Sequence, residues 1–439
     1  MARKRRNAET QSPQPVAGNG LLDRRLLLTS GVAFAGAMTT GIGGSVVSAA
    51  AEPLTVDPWS KTIGAPVPPY STPSRFEAKM VHTLGDPTRP GTQQGRTPHH
   101  ELDGIITPNG VHFVVARAGA PDIDPEKHKL LIHGMVKQPL VFSLNDLMRY
   151  PMESHVRFIE CGGNSAPMWS KTPIQANVQA LHGLLSCSEW TGIKLSTLLD
   201  EAGVDPKSSW LIAEGADGVT MNRSIPLAKA MDDAMIVFYQ NGERIMPWNG
   251  YPMRLFLPGY EGNMNVKWLR RLKLTDAPVM AINESRQYTL LLESGKAWRF
   301  YYPQEIKSFI TRPSPGMTMP GSGYYQISGI AFSGHGRVAK VEVSADGGKS
   351  WAQAALQAPV LPKAFTRFRM PWNWTGQPAV VMSRATDEAG NVQPTRAQLI
   401  AERGEPRNTP PVGVFPMGHV NCICSWGIDA QGAVNHVYV

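Results

Sequence analysis

The sequence predicts an α+β domain followed by an antiparallel β-sandwich, with a leader and an irregular arm in front. Three observations carry this. Short strand-like runs and short helices interleave up to about residue 305, without the regular alternation of a doubly wound sheet. After the Pro/Gly-rich stretch Arg312-Pro313-Ser314-Pro315-Gly316 the pattern turns to strands alone. The composition, 42% apolar and 18% charged over 439 residues, supports buried cores in two or three domains. The boundaries fall at 1–50 for the leader, 51–104 for the arm, 105–305 for the α+β domain and 306–439 for the sandwich with its tail.

In the leader, a basic arm precedes Asp23-Arg24-Arg25-Leu26-Leu27-Leu28-Thr29 and a modestly apolar run rich in Gly, Ala and Thr through Gly44. This looks like a twin-arginine export signal, with an ordinary secretion signal or membrane anchor as the alternative. Ser48-Ala49-Ala50 offers an Ala-x-Ala-like cleavage point, so residues 1–50 are set aside from the fold and a periplasmic location is expected. That pathway carries folded cargo. No later stretch has the roughly 18 to 20 apolar residues of a membrane span, so none is expected after cleavage.

Residues 51–104, with Pro66-Val67-Pro68-Pro69 and Pro87-Thr88-Arg89-Pro90-Gly91, read as an arm lying on a folded body. Phe113-Val114-Val115 and Lys129 to Gly134 suggest strands. Ser143 caps a helix through Met148, with Asp146 at its third position. Leu195, Leu198, Leu199 and Ala202 follow helical spacing and stop at Gly203. Ser224, with Pro226 behind it, opens a further helix through Met231. In the sandwich, Ala339, Val341 and Val343 alternate with Lys340, Glu342 and Ser344. Asp346-Gly347-Gly348 supplies a hairpin turn, and a second strand runs from Ala379 to Ala385.

The formal charge of +8 does not argue for nucleic acid. Without the six basic and two acidic residues of 1–50, 37 bases face 33 acids, scattered along the chain. Cys161, Cys187, Cys422 and Cys424 form no dense disulfide framework, and the absence of Cys-x-x-Cys-His excludes a c-type haem attached to this chain. His419-Val420-Asn421-Cys422-Ile423-Cys424 has metal-like spacing but no clear fourth ligand, and packing is the expected role.

Cys161 is the residue that carries chemistry. It stands in Arg157-Phe158-Ile159-Glu160-Cys161-Gly162-Gly163-Asn164-Ser165, where an apolar strand breaks into a Gly-rich turn that presents the sulfur and lets a ligand approach the backbone. A lone cysteine is more often an inert buried thiol; the motifs around it decide the reading. Thr107-Pro108-Asn109, Glu160-Cys161-Gly162-Gly163-Asn164, Trp190-Thr191-Gly192, Ser224-Ile225-Pro226-Leu227, Val266-Lys267-Trp268-Leu269, the hairpin Val341 to Gly348 with Trp351, and Asn391-Val392-Gln393-Pro394 follow in one order. From about Ile106 to Val392 the chain resembles the sulfite oxidase family, in which a molybdopterin-binding domain precedes an immunoglobulin-like dimerisation domain. Within the family it resembles the exported molybdenum-dependent dehydrogenase subunits of bacterial sulfur-oxidising systems, which lack a haem domain of their own.

The resemblance implies a molybdenum–molybdopterin cofactor with Cys161 as the metal's thiolate. It implies that Asp217, Arg254 and Asn265-Val266-Lys267 hold the pterin and its phosphate, and that the strand Phe113-Val114-Val115-Ala116-Arg117 and Asn249 line the pocket. Tyr288 falls where the family keeps a tyrosine near the metal oxygen, and Arg369 where the second domain contributes an arginine to the substrate pocket, with Arg367 two residues away on the same face. Three positions depart from the sulfite oxidases. Their anion-binding arginine is Val115 here, their histidine is Arg117, and a second histidine is Asn249. The loss of positive charge suits a sulfane sulfur on a carrier protein better than free sulfite. A c-type cytochrome subunit as electron acceptor and a homodimer through the second domain complete the expectation. The alternatives are a sulfite dehydrogenase or sulfoxide reductase of the same fold, and a non-enzymatic secreted binding protein with Cys161 merely buried.

Overall fold

The computed structural model describes residues 15–22, 57–86, 88, 93–291, 296–298, 302–404 and 419–439. Part of the expected leader, residues 15–22, is folded onto the body. Strands β1 (Pro15–Ala17) and β2 (Leu21–Leu22) flank a Gly-Asn-Gly turn, and β2 pairs with a strand of the second domain, burying Leu21 completely. The arginine pair and the Ser48-Ala49-Ala50 site lie outside the described residues.

The arm is irregular and almost wholly exposed from 57 to 84, as expected, but its end belongs to the body. Strands β3 (Thr83–Leu84), β4 (Gln93–Arg96) and β5 (Val114–Ala116) form a small antiparallel sheet, and Thr97 and His99 behind it are buried.

Next come β6 (Lys129–Gly134), β7 (Leu140–Ser143), α1 (Leu144–Leu147), β8 (Glu153–Glu160), α2 (Val178–His182), β9 (Leu185–Lys194) and α3 (Leu195–Ala202). At the start of α1, Asp146 N–H donates to Ser143 Oγ (3.2 Å) and Ser143 N–H donates back to the Asp146 carboxylate (2.8 Å), a capping box. Helix α3 buries the four apolar positions named from its spacing and ends on Gly203 at φ +68°. Then follow β10 (Trp210–Gly215), β11 (Asn222–Pro226), α4 (Leu227–Asp232), β12 (Met235–Gln240), β13 (Glu243–Arg244), β14 (Arg254–Phe256), β15 (Leu269–Thr275), β16 (Leu290–Leu291) and β17 (Ala297–Trp298). Ser224 is not the start of a helix. It sits within β11 opposite Ile212, its hydroxyl donating to the Glu284 carboxylate (2.9 Å), and α4 begins only at Leu227.

One sheet has the order β11-β10-β15-β6-β7, with β15 and β6 parallel and the other neighbours antiparallel. A second has the order β13-β12-β9-β8, with β14 also on β12. Leu130, Ile132, Leu198, Leu211, Ile225, Ile236 and Leu255 pack together from both sheets and α3, which is the α+β domain foreseen.

The sandwich comprises β18 (Lys307–Arg312), β19 (Gly323–Phe332), β20 (Val338–Ser344), β21 (Ala352–Gln353), β22 (Ala355–Leu356), β23 (Thr366–Trp374), β24 (Ala379–Asp387), α5 (Arg396–Arg403), β25 (Ser425–Ile428) and β26 (Val434–Val437). Its sheets run β1-β2-β23-β19-β18, with β22 also on β23, and β21-β20-β24-β25-β26. The alternation along β20 holds from Val341 to Val343 but not before: a bulge between Val338 and Lys340 puts Val338 inside and leaves Ala339 exposed. Phe309, Ile327, Val341, Phe368, Trp372 and Trp426 fill the sandwich, and the same cluster continues into Phe158, Leu181 and Leu185 of the first domain. The end of β8, and the turn after it, therefore rest on the second domain. Among the described residues no helix is long and apolar enough to cross a membrane.

Candidate active site

Strand β8 delivers Cys161. Side chains alternate along a strand, so Ile159 and Cys161 share one face and Glu160 takes the other. Ile159 packs in a buried cluster with Phe113, Trp190 and Phe256, and Cys161 borders it half-buried. The Cys161 N–H donates to Leu184 O (2.9 Å), and Asn164 N–H donates to Cys161 O (2.8 Å), which closes the turn. The sulfur lies on the wall of a cavity with about 750 Å³ of atom-free space, its mouth included. A neighbouring cleft shares His112, Trp248 and Asn249 with it. Burial pushes the Cys161 thiol up to about 11, so it stays protonated at neutral pH until a metal displaces the proton.

Most of the residues named from the sequence converge here. Phe113, Val115, Ala116, Arg117, Asp217, Asn249, Arg254, Asn265, Val266, Lys267 and Tyr288 line the cavity with Cys161, and Val114 lines the adjoining cleft. Arg254, on β14, donates to Asn249 O (2.9 Å) and Asn265 O (3.0 Å), and its Nε has no partner in the structure. Burial lowers its pKa to about 9, so the guanidinium keeps its charge at neutral pH. Lys267 donates to Val115 O (3.0 Å) and Trp248 O (2.9 Å), and burial, then Arg254, bring its ammonium down to about 7. Both side chains donate to backbone carbonyls and not to a carboxylate, so neither is held in a direct ion pair. Asp217 accepts from Met221 N–H (2.9 Å) and forms the turn that closes one side of the cavity. Asn265 accepts from Leu257 N–H (2.7 Å) and ties down the loop before Lys267. Asn249 bonds His112 Nδ1 (3.1 Å), which anchors the segment that leads through Phe113 into β5.

Arg117 reaches the site and donates to the Tyr288 phenol oxygen at 3.0 Å. Arg117 and Arg223 each lie against the Tyr288 ring, 5.5 and 5.0 Å from its centroid. Burial raises the phenol to about 12, so its proton stays in place.

Arg369 is not brought to the cavity. It donates to Asp103 (2.9 Å) and to Gln357, and Arg367 is spent on Gly104 O (3.0 Å) and Thr311 Oγ1 (3.2 Å). Asp103, at the end of the arm, pairs with Arg369 and lies 3.8 Å from Arg367, so both arginines turn to it and not to the pocket. Cys187, Cys422 and Cys424 are buried free thiols, and among the described residues His, Cys, Asp and Glu nowhere gather in threes to hold a metal.

Sequence reasoning missed His112, Met221, Trp248, Asn263, Arg223 and Glu261. Arg223 carried no usable signal, because it stands between Asn222 and Ser224 rather than in an apolar run like that around Arg254. Glu261 had none either. Its buried carboxyl, with a raised pKa from desolvation, lies against the turn, and one oxygen has no partner. A β-carbon at Gly162 would fall 1.5 Å from Glu261 Oε1, so this glycine is required by a close approach. Gly162→Ala is expected to displace the Cys161 turn, cost about 1–3 kcal/mol of stability and lower metal content severalfold. Thermal unfolding and metal analysis of the purified variant check this.

Comparison with known proteins gives the family of the chain. The oxidoreductase molybdopterin binding domain model matches residues 117–282, and the Mo-co oxidoreductase dimerisation domain model matches residues 299–408. Mitochondrial sulfite oxidase of Mus musculus is 30% identical over 365 residues, covering 77% of this chain and 65% of that protein. The NAD(P)H nitrate reductase of Hordeum vulgare is 29% identical over 340 residues, 67% of this chain and 37% of that enzyme. The chain thus spans less than two thirds of the length of these relatives. The crystal structure of the sulfane dehydrogenase SoxCD from Paracoccus pantotrophus superposes with a TM-score of 0.83 at 39% identity, covering 88% of this chain and 97% of that one. This chain belongs to the sulfite oxidase family.

The family's molybdenum–molybdopterin cofactor is therefore the cofactor of this chain, and the residues present fit it. A single soft thiolate donor suits a metal whose other ligands come from a dithiolene. Arg254, with a partnerless Nε, and Lys267 suit the phosphate of the pterin. The charge on Lys267 offers a pH test. In the unfolded chain its pKa is near 10.5, and in the empty cavity about 7, so between these values the unfolded chain binds more protons. The cofactor-free protein should accordingly gain stability as pH rises from 7 toward 10. A bound phosphate restores the charge and flattens that dependence. Unfolding midpoints against pH for loaded protein, cofactor-free protein and a cofactor-free Lys267→Met variant read the difference; a slope that survives in the variant assigns it to another group.

Proposed function

We propose that this protein is the molybdenum subunit of a periplasmic sulfane dehydrogenase, exported through its arginine pair. It oxidises sulfane sulfur borne on the cysteine of a carrier protein. The observation that carries this reading is the wall around Cys161. Ile159, Val115, Ala116, Val219, Met221 and Trp248 make it mainly apolar, and Arg117, a cation beside Tyr288, is already engaged with the phenol. A small dianion needs several free cations when desolvated, whereas a persulfide carries at most one charge. The likeness to the sulfane dehydrogenase SoxCD supports the same substrate class.

When bound, the cofactor supplies the two-electron oxidation and the transfer of an oxygen atom drawn from water. For each oxygen gained, R–S–SH and water give R–S–SOH, two protons and two electrons. Cys161 holds the metal at the cavity wall. Arg117 donates to the Tyr288 oxygen, which leaves the phenol proton free to be donated to a group bound in the cavity. Lys267 and Arg254 hold the phosphate end of the cofactor. The chain has no Cys-x-x-Cys-His, so the electrons pass to a separate protein, for which a c-type cytochrome subunit is the proposed acceptor. The second domain is proposed to pair two copies.

A sulfite dehydrogenase is the second reading, favoured by the position of Arg117 in the cavity. Loaded enzyme offered sulfite and a persulfidated carrier in turn, with cytochrome c reduction as the readout, separates the two. The expected result is a kcat/KM for the carrier at least about 100-fold above that for sulfite, roughly 2.7 kcal/mol in transition-state binding. Robust turnover of sulfite alone removes the sulfane reading.

A further inference from the structure

The hairpin formed by Pro15–Leu22 is packed as specifically as any element of the sandwich it touches. Leu21 pairs with Trp372 of β23 and is fully buried; Leu22 is 3% exposed. Trp372 Nε1–H donates to Asn19 O (2.6 Å), Asn19 Nδ2 donates to Ala345 O (2.8 Å), and Gly18 N–H donates to Ser350 Oγ (2.7 Å). The turn needs its residues. Asn19 is left-handed at φ 57°, which asparagine tolerates. Gly20 has φ +88°, and a β-carbon there would fall 2.1 Å from Asn373 O; one at Gly18 would fall 2.2 Å from Asp346 Oδ2.

The contacts come from Ala345 to Ser350 and from Trp372 to Asn373, segments that lie side by side only in the folded sandwich. Arg24 follows Leu22 by two residues in the sequence. We propose that Pro15–Leu22 is an intramolecular docking strand that ties the arginine-pair leader to the completed second domain and must undock before an export receptor can grip the pair. The second part rests on the export reading given above. A receptor that binds the chain on both sides of the arginines competes with the sandwich for Leu21 and Leu22. Its apparent affinity for the precursor is then reduced to the fraction undocked.

The full-length precursor tests the docking by hydrogen exchange. Residues 15–22 and the Trp372 indole N–H are expected to exchange at least about tenfold slower than in a free chain. Gly20→Val and Leu21→Asp should abolish that protection and leave the rest of the sandwich unchanged. Exchange of residues 15–22 at the free-chain rate in the unaltered protein overturns the docking. Pulse-labelled cells test the restraint: both variants should be exported at least about threefold faster. An unchanged or slower rate, with protection lost, overturns it. Arg24→Lys/Arg25→Lys should block export. Continued export of that variant overturns the export reading, a failure separable from loss of docking because exchange is read on the isolated precursor.

Discussion

Replacing Cys161 with serine is expected to lower turnover at least about 1,000-fold, a loss near 4 kcal/mol of transition-state stabilisation, while the protein stays folded. The sulfur is half-buried, and its neighbours contact the backbone of the turn more than the side chain: Leu184 O and Asn164 N–H hold positions 161 and 164 whatever atom Cβ carries. Thiol to hydroxyl at such a place costs about 1 kcal/mol of stability. A hydroxyl has a far higher pKa than a thiol and is a poor ligand for a soft metal, so the anchor is lost. Turnover on the persulfide carrier, molybdenum content and the unfolding midpoint separate the outcomes. Unchanged turnover removes Cys161 from the chemistry and with it the reading of the site; a collapsed midpoint assigns the loss to folding.

The parts of this site legible in the sequence are those whose signal is local. An apolar strand running into Gly162-Gly163 marks the Cys161 turn, and Arg254 and Lys267 stand out as cations inside apolar runs. The capping box of α1 and the glycine stop of α3 follow from backbone groups that helices leave unpaired. The failures have a common cause, a partner distant in sequence. Ser224-Ile225-Pro226 has the chemistry of a helix start, but Glu284 takes its hydroxyl and holds it in a strand. Alternation along β23 puts Arg367 and Arg369 on one face, yet it could not show that Asp103 waits there. Glu261 acts by contact with Gly162, 99 positions away, and no pattern announces it. The hairpin inside the expected leader was hidden for the same reason, since its partners Ala345, Ser350 and Trp372 stand more than 300 positions away. The apolar wall around Cys161 was legible only as the absence of an expected arginine at Val115, which the structure turns into a surface.

Lys307→Met is expected to destabilise the protein by about 3–5 kcal/mol, because it breaks a fully buried ion pair. Lys307 begins the second domain and is completely buried, donating to Glu160 Oε1 (2.6 Å) and Ser165 Oγ (2.8 Å). Glu160 Oε2 pairs with His419 Nε2 (2.6 Å), and Asn164 Nδ2 donates to Oε1 (2.8 Å). Burial alone would raise the Glu160 pKa; Lys307 and His419 outweigh it and hold the carboxyl at about 2, while Glu160 draws the His419 pKa up against its own burial. Removing the lysine leaves a carboxylate with too little compensation in a dry interior, one residue from Cys161. The pH sign follows from linkage. In the unaltered protein the stability due to Glu160 is complete above its unfolded pKa near 4.5 and is lost as pH falls toward 2. In the variant the folded-state pKa of Glu160 rises, so protonation relieves the unpaired charge and the gap between the two proteins narrows as pH falls from 7. Glu160→Gln in the Lys307→Met background should recover part of the loss at neutral pH, a coupling that a double-mutant cycle reads directly. Strict additivity of the two substitutions, or a gap independent of pH, overturns this account of how the second domain supports the turn that carries Cys161.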